Sequence, residues 1–93
     1  MNNYIIRTDG TQAPVAPGFG NKFTLKELQY YVGGYIELVH LNDNQFLIIN
    51  EEGKLHNLPI NKKATDLARD AHCIFACDYI VGGAVIIEQN LFG

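Results

Sequence analysis

The sequence predicts a small α+β domain, a mostly antiparallel sheet with two helices in the order β-β-α-β-β-(β)-α-β. Three observations carry that expectation. Residues 23–28, FTLKEL, hold a complete helix-start signal. Residues 35–50 hold two β-branched and aromatic runs around Asn42-Asp43-Asn44, and Ile60, Ala64, Leu67, Ala68 and Ala71 recur at helical spacing. Both helices are expected to cover one face of the sheet.

Along the chain, Tyr4 to Thr8 reads as a short strand, followed by Asp9-Gly10, a pair suited to a type I′ turn with both central residues at positive φ. The return limb TQAPVAP carries Pro14 and Pro17, which donate no ladder hydrogen bond, so it is an edge strand or an extended arm. Residues 1–17 thus form an N-terminal hairpin or arm, and 23–88 the core of one domain spanning 1–93. Thr24 and Glu27 stand three apart as a capping box, and Phe23 and Leu28 occupy the hydrophobic-staple positions. Leu25, Leu28 and Val32 line one helical face, and Gly33 follows where a left-handed residue closes the last turn.

Tyr35 to Leu41 and Gln45 to Asn50 then form a hairpin, the second strand apolar on both faces through Phe46-Leu47-Ile48-Ile49. Asn50-Glu51-Glu52-Gly53 reads as a turn with Gly53 at positive φ, and Lys54 to His56 as a short strand pairing back. After Pro59, Asn61 is placed to cap a second helix over about residues 61–71. Residues Cys73 to Tyr79 fit a strand or a loop, and Ala84 to Glu88 a final buried strand.

The totals narrow the function classes. With 93 residues, 47% apolar, the chain affords one small core and enough residual apolar surface to favour self-association, a dimer or a higher closed assembly. A net charge of -3 gives no reason to expect nucleic-acid binding. The N-terminus lacks a basic start and a long apolar run, and no segment is long enough to span a bilayer, so a cytoplasmic location is expected and no membrane partner. Two cysteines are too few for a disulfide framework.

Candidate chemistry is thin. The pair Gly33-Gly34 follows a helix, at the negative end of its dipole, so it stops a helix and does not cradle phosphate. His40, His56, His72, Cys73 and Cys77 show no metal-ligand spacing; no metal and no cofactor are expected, and both cysteines read as small core residues. The chain contains no serine, and no cysteine lies in a recognisable nucleophile context. No catalytic residue is therefore assigned. The one polar concentration is Asn50, Lys54, His56, Asn57 and Asn61, with Tyr35 nearby. Amides, a lysine and an imidazole beside an aromatic ring read phosphate, ribose and base edges, although the same asparagines suit turns and caps. Thr24, Glu27, Gly33, Gly34, Gly53 and Pro59 are assigned structural parts. Tyr30, Tyr31, Tyr35 and Tyr79 suit either the rim of a core or a stacking platform.

Taken together, LKELQYYVGGYIELVHL, NEEGKL and LPIN with the following Ala64 resemble a small family encoded by bacteriophages and other mobile elements and catalogued as a domain of unknown function. The family pattern has Asn-Gly where this chain has His56-Asn57, and Asn57 tolerates the left-handed backbone that glycine would supply. The resemblance implies a setting: small phage proteins without enzymatic motifs are frequently counter-defence factors. The expectation is a non-catalytic, homo-oligomeric binder that sequesters a nucleotide-derived immune signal, of the ADP-ribose type or a cyclic dinucleotide, in the host cytosol. Tyr35, Asn50, Lys54, His56, Asn57 and Asn61 would contact it. The alternatives are a protein inhibitor of a host defence enzyme, or a small hydrolase or lyase of the same signal using His56 or His72 as base.

Overall fold

The computed structural model describes residues 2–93. Strands β1 (Tyr4–Ile6), β2 (Gln12–Pro14), β3 (Ile36–His40), β4 (Gln45–Asn50) and β5 (Ala84–Glu88) form one sheet in the order β2-β1-β5-β4-β3, every neighbour antiparallel. Helix α1 covers Leu25–Val32 and α2 Lys62–Asp70, with a short 3-10 turn at Gln89–Leu91. β5 lies at the centre, between the β1–β2 and β3–β4 hairpins. Its pattern explains the position: Ala84, Val85, Ile86 and Ile87 are all buried, which only a strand covered on both faces allows.

The helices lie on opposite faces, not on one. Phe23, Leu28 and Val32 pack with Ile48, Val85 and Ile87 on the α1 face. Ala64 and Ala68 of α2 pack with Ile6, Leu47, Ala84 and Ile86 on the other. The alternation of β4 and β5 sends successive apolar side chains to both sides, so each side needs its own cover.

The start of α1 follows its sequence signal. Thr24 Oγ1 accepts from the Glu27 N–H at 3.2 Å, and Glu27 Oε1 accepts from the Thr24 N–H at 2.9 Å. Glu27 Oε2 also accepts from the Gly18 N–H, and these backbone donors hold the Glu27 carboxyl below its ordinary pKa. Phe23 and Leu28 are both fully buried. Leu25 is instead exposed, since Phe23 fills the core under that end of the helix. Gly33 closes α1 at φ 80, where an L side chain is strained. In α2, Asn61 caps the Ala64 N–H, and the helix ends with His72 at φ 56 while the Cys73 N–H reaches back to Ala68 O.

Four local expectations are corrected. At the first hairpin only Gly10 has positive φ; Asp9 instead accepts from the Thr11 N–H and hydroxyl with its carboxylate, which holds the turn and lowers the Asp9 pKa. Residues 54–56 form consecutive turns, because Asn50 Oδ1 accepts from the Glu52 N–H at 2.8 Å and winds the chain immediately after β4. Gly53 does not sit at positive φ: a Cβ there would stand 2.7 Å from Val81 Cγ2, so it is small for want of space. Residues 73–79 are a loop in which Cys77 is exposed, not buried, while Cys73 packs against the core. No helix among the described residues is long and apolar enough to cross a membrane.

Candidate functional site

The end of β4 separates two depressions, and Asn50 lines both. Its side chain is nearly buried and committed: Nδ2 donates to Val32 O at 3.1 Å, and Oδ1 holds the Glu52 N–H. Asn50 therefore joins the last turn of α1 to the turns after β4. Gly34 belongs to the same joint, since a Cβ there would come within 3.0 Å of Asn50 Nδ2.

The first depression is a cleft of about 530 Å³ between the C-terminal end of α1 and the turns at 51–57. Tyr30 and Tyr35 stand on its rim, 83% and 65% exposed, with Gln29, Glu52 and His56. Lys26 supplies its lysine ammonium. Among the described residues, the Tyr30, Tyr35 and His56 side chains have no hydrogen-bond partner, so rings and polar tips are available to solvent or a ligand. The amides of Gly33 and Gly34 both donate to Gln29 O, at 2.8 and 3.1 Å. They offer no cradle to an anion, as the position after a helix implies.

The second depression, about 410 Å³, lies on the α2 face between the β3–β4 hairpin and the 72–81 loop. Val39, Ile49, Ile74, Ile80 and Val81 contribute apolar wall, and Glu37, His72 and Cys73 also border it. Lys54 Nζ pairs with Asp78 Oδ1 at 2.5 Å and rests 4.4 Å from the Tyr79 ring centroid. The Lys54 hydrogen bond, followed by the Tyr79 N–H, draws the Asp78 carboxyl below its usual range; the same bond raises the Lys54 pKa. Arg69 donates to the Asp78 backbone carbonyl through Nε and Nη2, at 3.0 and 2.5 Å. Lys54 and Asp78 thus satisfy each other within this cavity. The Cys73 thiol is pushed up by burial and donates to Ala68 O, the reverse of an activated thiolate.

The six sequence candidates thus divide. Tyr35, His56 and Asn50 meet at the first cleft, and Lys54 joins Asn50 at the second cavity. Asn57 lies in neither, exposed at φ 53, the left-handed conformation in place of glycine. Asn61 is fully buried, with Nδ2 donating to Ile6 O and Gly82 O at 2.9 Å each and Oδ1 capping α2. No group of three or more His, Cys, Asp or Glu is placed to hold a metal ion among the described residues. Asp78, Glu37, Lys26 and Gln29 carried no signal as site residues. The partner of Lys54 lies 24 residues away in a loop without periodicity, and only the fold brings it near.

A family model described as a domain of unknown function, DUF3846, matches residues 1–90. The chain belongs to that family. The match includes the N-terminal hairpin and β5, so the DUF3846 domain is the whole five-stranded sheet with both helices. No curated protein and no solved structure matches the chain.

Proposed function

We propose that the protein is a non-catalytic binder of a small, ring-containing, nucleotide-derived ligand, held at the cleft between α1 and the 51–57 turns, and that it acts by sequestering that ligand, in the manner of a phage counter-defence sponge. The observation that carries the reading is the pair Tyr30 and Tyr35, large aromatic rings left exposed on the rim of a cleft that also presents His56. Exposed rings stack on a base at low conformational cost. Glu52 and His56 suit the hydroxyls of a ribose and the polar edge of a base, and Gln29 offers both a donor and an acceptor. Lys26, on the flank away from the negative end of α1, suits a phosphate. Lys54 is less suited, being already paired with Asp78. A binding module is also favoured by the state of Cys73, whose thiol is protonated and bonded to a carbonyl.

The test is to titrate the protein with ADP-ribose, its cyclic derivatives and cyclic dinucleotides by calorimetry, then denature each complex and identify what is released. Saturable binding, weakened at least tenfold in Tyr30→Ala and Tyr35→Ala, with intact ligand recovered, is the expected result. Absence of binding across the panel sinks the reading, and recovery of cleaved ligand replaces it with an enzyme.

A further inference from the structure

The two edges of the sheet differ in what they offer another strand. At the β3–β4 ladder, the Glu51 N–H donates to Tyr35 O and the Leu41 N–H to Gln45 O. The register pairs Ile36 with Asn50 through to His40 with Phe46. These bonds set the phase: odd-numbered residues of β3 bond to β4, so Ile36, Leu38 and His40 turn their N–H and C=O groups outward. Among the described residues nothing accepts from or donates to those groups. β3 carries no proline, no lysine and no bulge, the features that usually blunt an edge.

The other edge is poorer in donors. The Arg7 N–H bonds Thr11 O and the Val15 N–H bonds Asn3 O, so in β2 it is Gln12 and Pro14 that face outward. Pro14 has no N–H, which leaves Gln12 as the sole outward amide donor of β2.

We infer that the protein forms a two-fold dimer by antiparallel pairing of β3 with β3 of a second copy, centred on Leu38. The outward groups are self-complementary in that register. Leu38 meets Leu38 of the second copy, and Ile36 meets His40 in both directions, with two backbone bonds for each pair. A head-to-tail arrangement of β3 on β2 would leave most of the outward carbonyls of β3 without a donor, because Pro14 offers a carbonyl but no N–H. Pairing two β3 edges joins the sheets into one and leaves proline-blocked β2 strands outermost, so the assembly closes at two copies.

The side chains agree with that register. On the α1 face the half-buried Ile36 and Leu38 gain apolar cover. On the opposite face Glu37 stands beside Val39 of the second copy. Glu37 and Val39 are also the β3 wall of the 410 Å³ cavity, so the second copy walls that cavity where one chain leaves it open.

The inference is independent of the ligand reading and is tested on the unmodified protein. Sedimentation is expected to give twice the 10.4 kDa monomer mass at high concentration. Amide exchange is expected to be slow at Ile36, Leu38 and His40 in that sample, and to become fast on dilution. His40→Pro, which removes an outward donor without touching the β4 ladder, is expected to weaken the dimer tenfold or more. A monomer at all concentrations overturns the inference. So does a dimer in which those three amides exchange freely, which would place the contact elsewhere.

Discussion

Asn61 Nδ2 donates to the carbonyl oxygen of Ile6 at 2.9 Å, joining residues 55 positions apart in the chain. The same amide donates to Gly82 O, Asn61 Oδ1 caps Ala64, and the Asn61 N–H bonds Ile80 O. One fully buried side chain therefore fixes the end of β1, the start of α2 and the approach to β5. Asn61→Ala would leave the Gly82 carbonyl unsatisfied, take one donor from the Ile6 carbonyl and remove a cap. The expected loss is about 3 kcal/mol or more, read as a lower midpoint in urea unfolding.

Asn61→Asp keeps the cap but sets a carboxylate against those two carbonyl oxygens. The folded-state pKa of that Asp is then raised above the unfolded value of about 3.9. Its stability is best below the unfolded value and falls as pH rises through the raised one. Unfolding curves of the variant from acid to neutral pH are expected to show that decline, steeper than in the wild type.

The pair Lys54 and Asp78 predicts the opposite sign. Asp78 has a lowered folded pKa, first from Lys54 and then from the Tyr79 N–H. Its contribution is present above the unfolded value near 3.9 and is lost as pH falls through the folded one. Both side chains are well exposed, so the effect on global stability is small. NMR titration of the Asp78 carboxyl is expected to move upward in Lys54→Met, and the Tyr79 amide to exchange faster.

Gly33 and Gly53 are expected to resist alanine for different reasons. Gly33→Ala puts a side chain in open space but at φ 80, costing roughly 1 kcal/mol. Gly53→Ala is unstrained in φ and collides with Val81, costing about 1–3 kcal/mol. Trimming Val81 to Ala in the same chain is expected to relieve the second cost and leave the first unchanged, a comparison that urea unfolding resolves.

His72 holds the left-handed position that ends α2 and borders the 410 Å³ cavity. His72→Gly is expected to raise stability by about 0.5 kcal/mol, the relief of strain outweighing the added freedom of the unfolded chain. A loss instead would mean that the imidazole packs usefully at the cavity mouth.

The elements built from local signals are legible in the sequence. Thr24 and Glu27 cap α1, Gly33 ends it and Asn61 starts α2, because capping is decided within a few residues. The placement of α1 and α2 on opposite faces was also written in β4 and β5, whose unbroken apolar runs require cover on both sides. Two helices alone are equally compatible with a single layer, so only the strand pattern carries that information. The turns at 51–57 were harder, since the choice between strand and turn there rests on one side chain, Asn50, reaching the Glu52 N–H. Of the site, Tyr35 and His56 were visible as residue types. Their convergence with Tyr30 and Lys26 depends on how α1 packs, and the pairing of Lys54 with Asp78 on where an irregular loop returns.

The central strand is also the last to be made. At a synthesis rate of roughly 5–20 residues per second, the chain from Ile6 to Ala84 takes about 4–16 s to follow. The inner edge of β1 is open to other chains throughout that interval, and that of β4 from its completion at Asn50 until β5 seals both. Until β5 arrives, the growing polypeptide is two hairpins with adhesive flanks, and its greatest exposure to aggregation falls during its own translation.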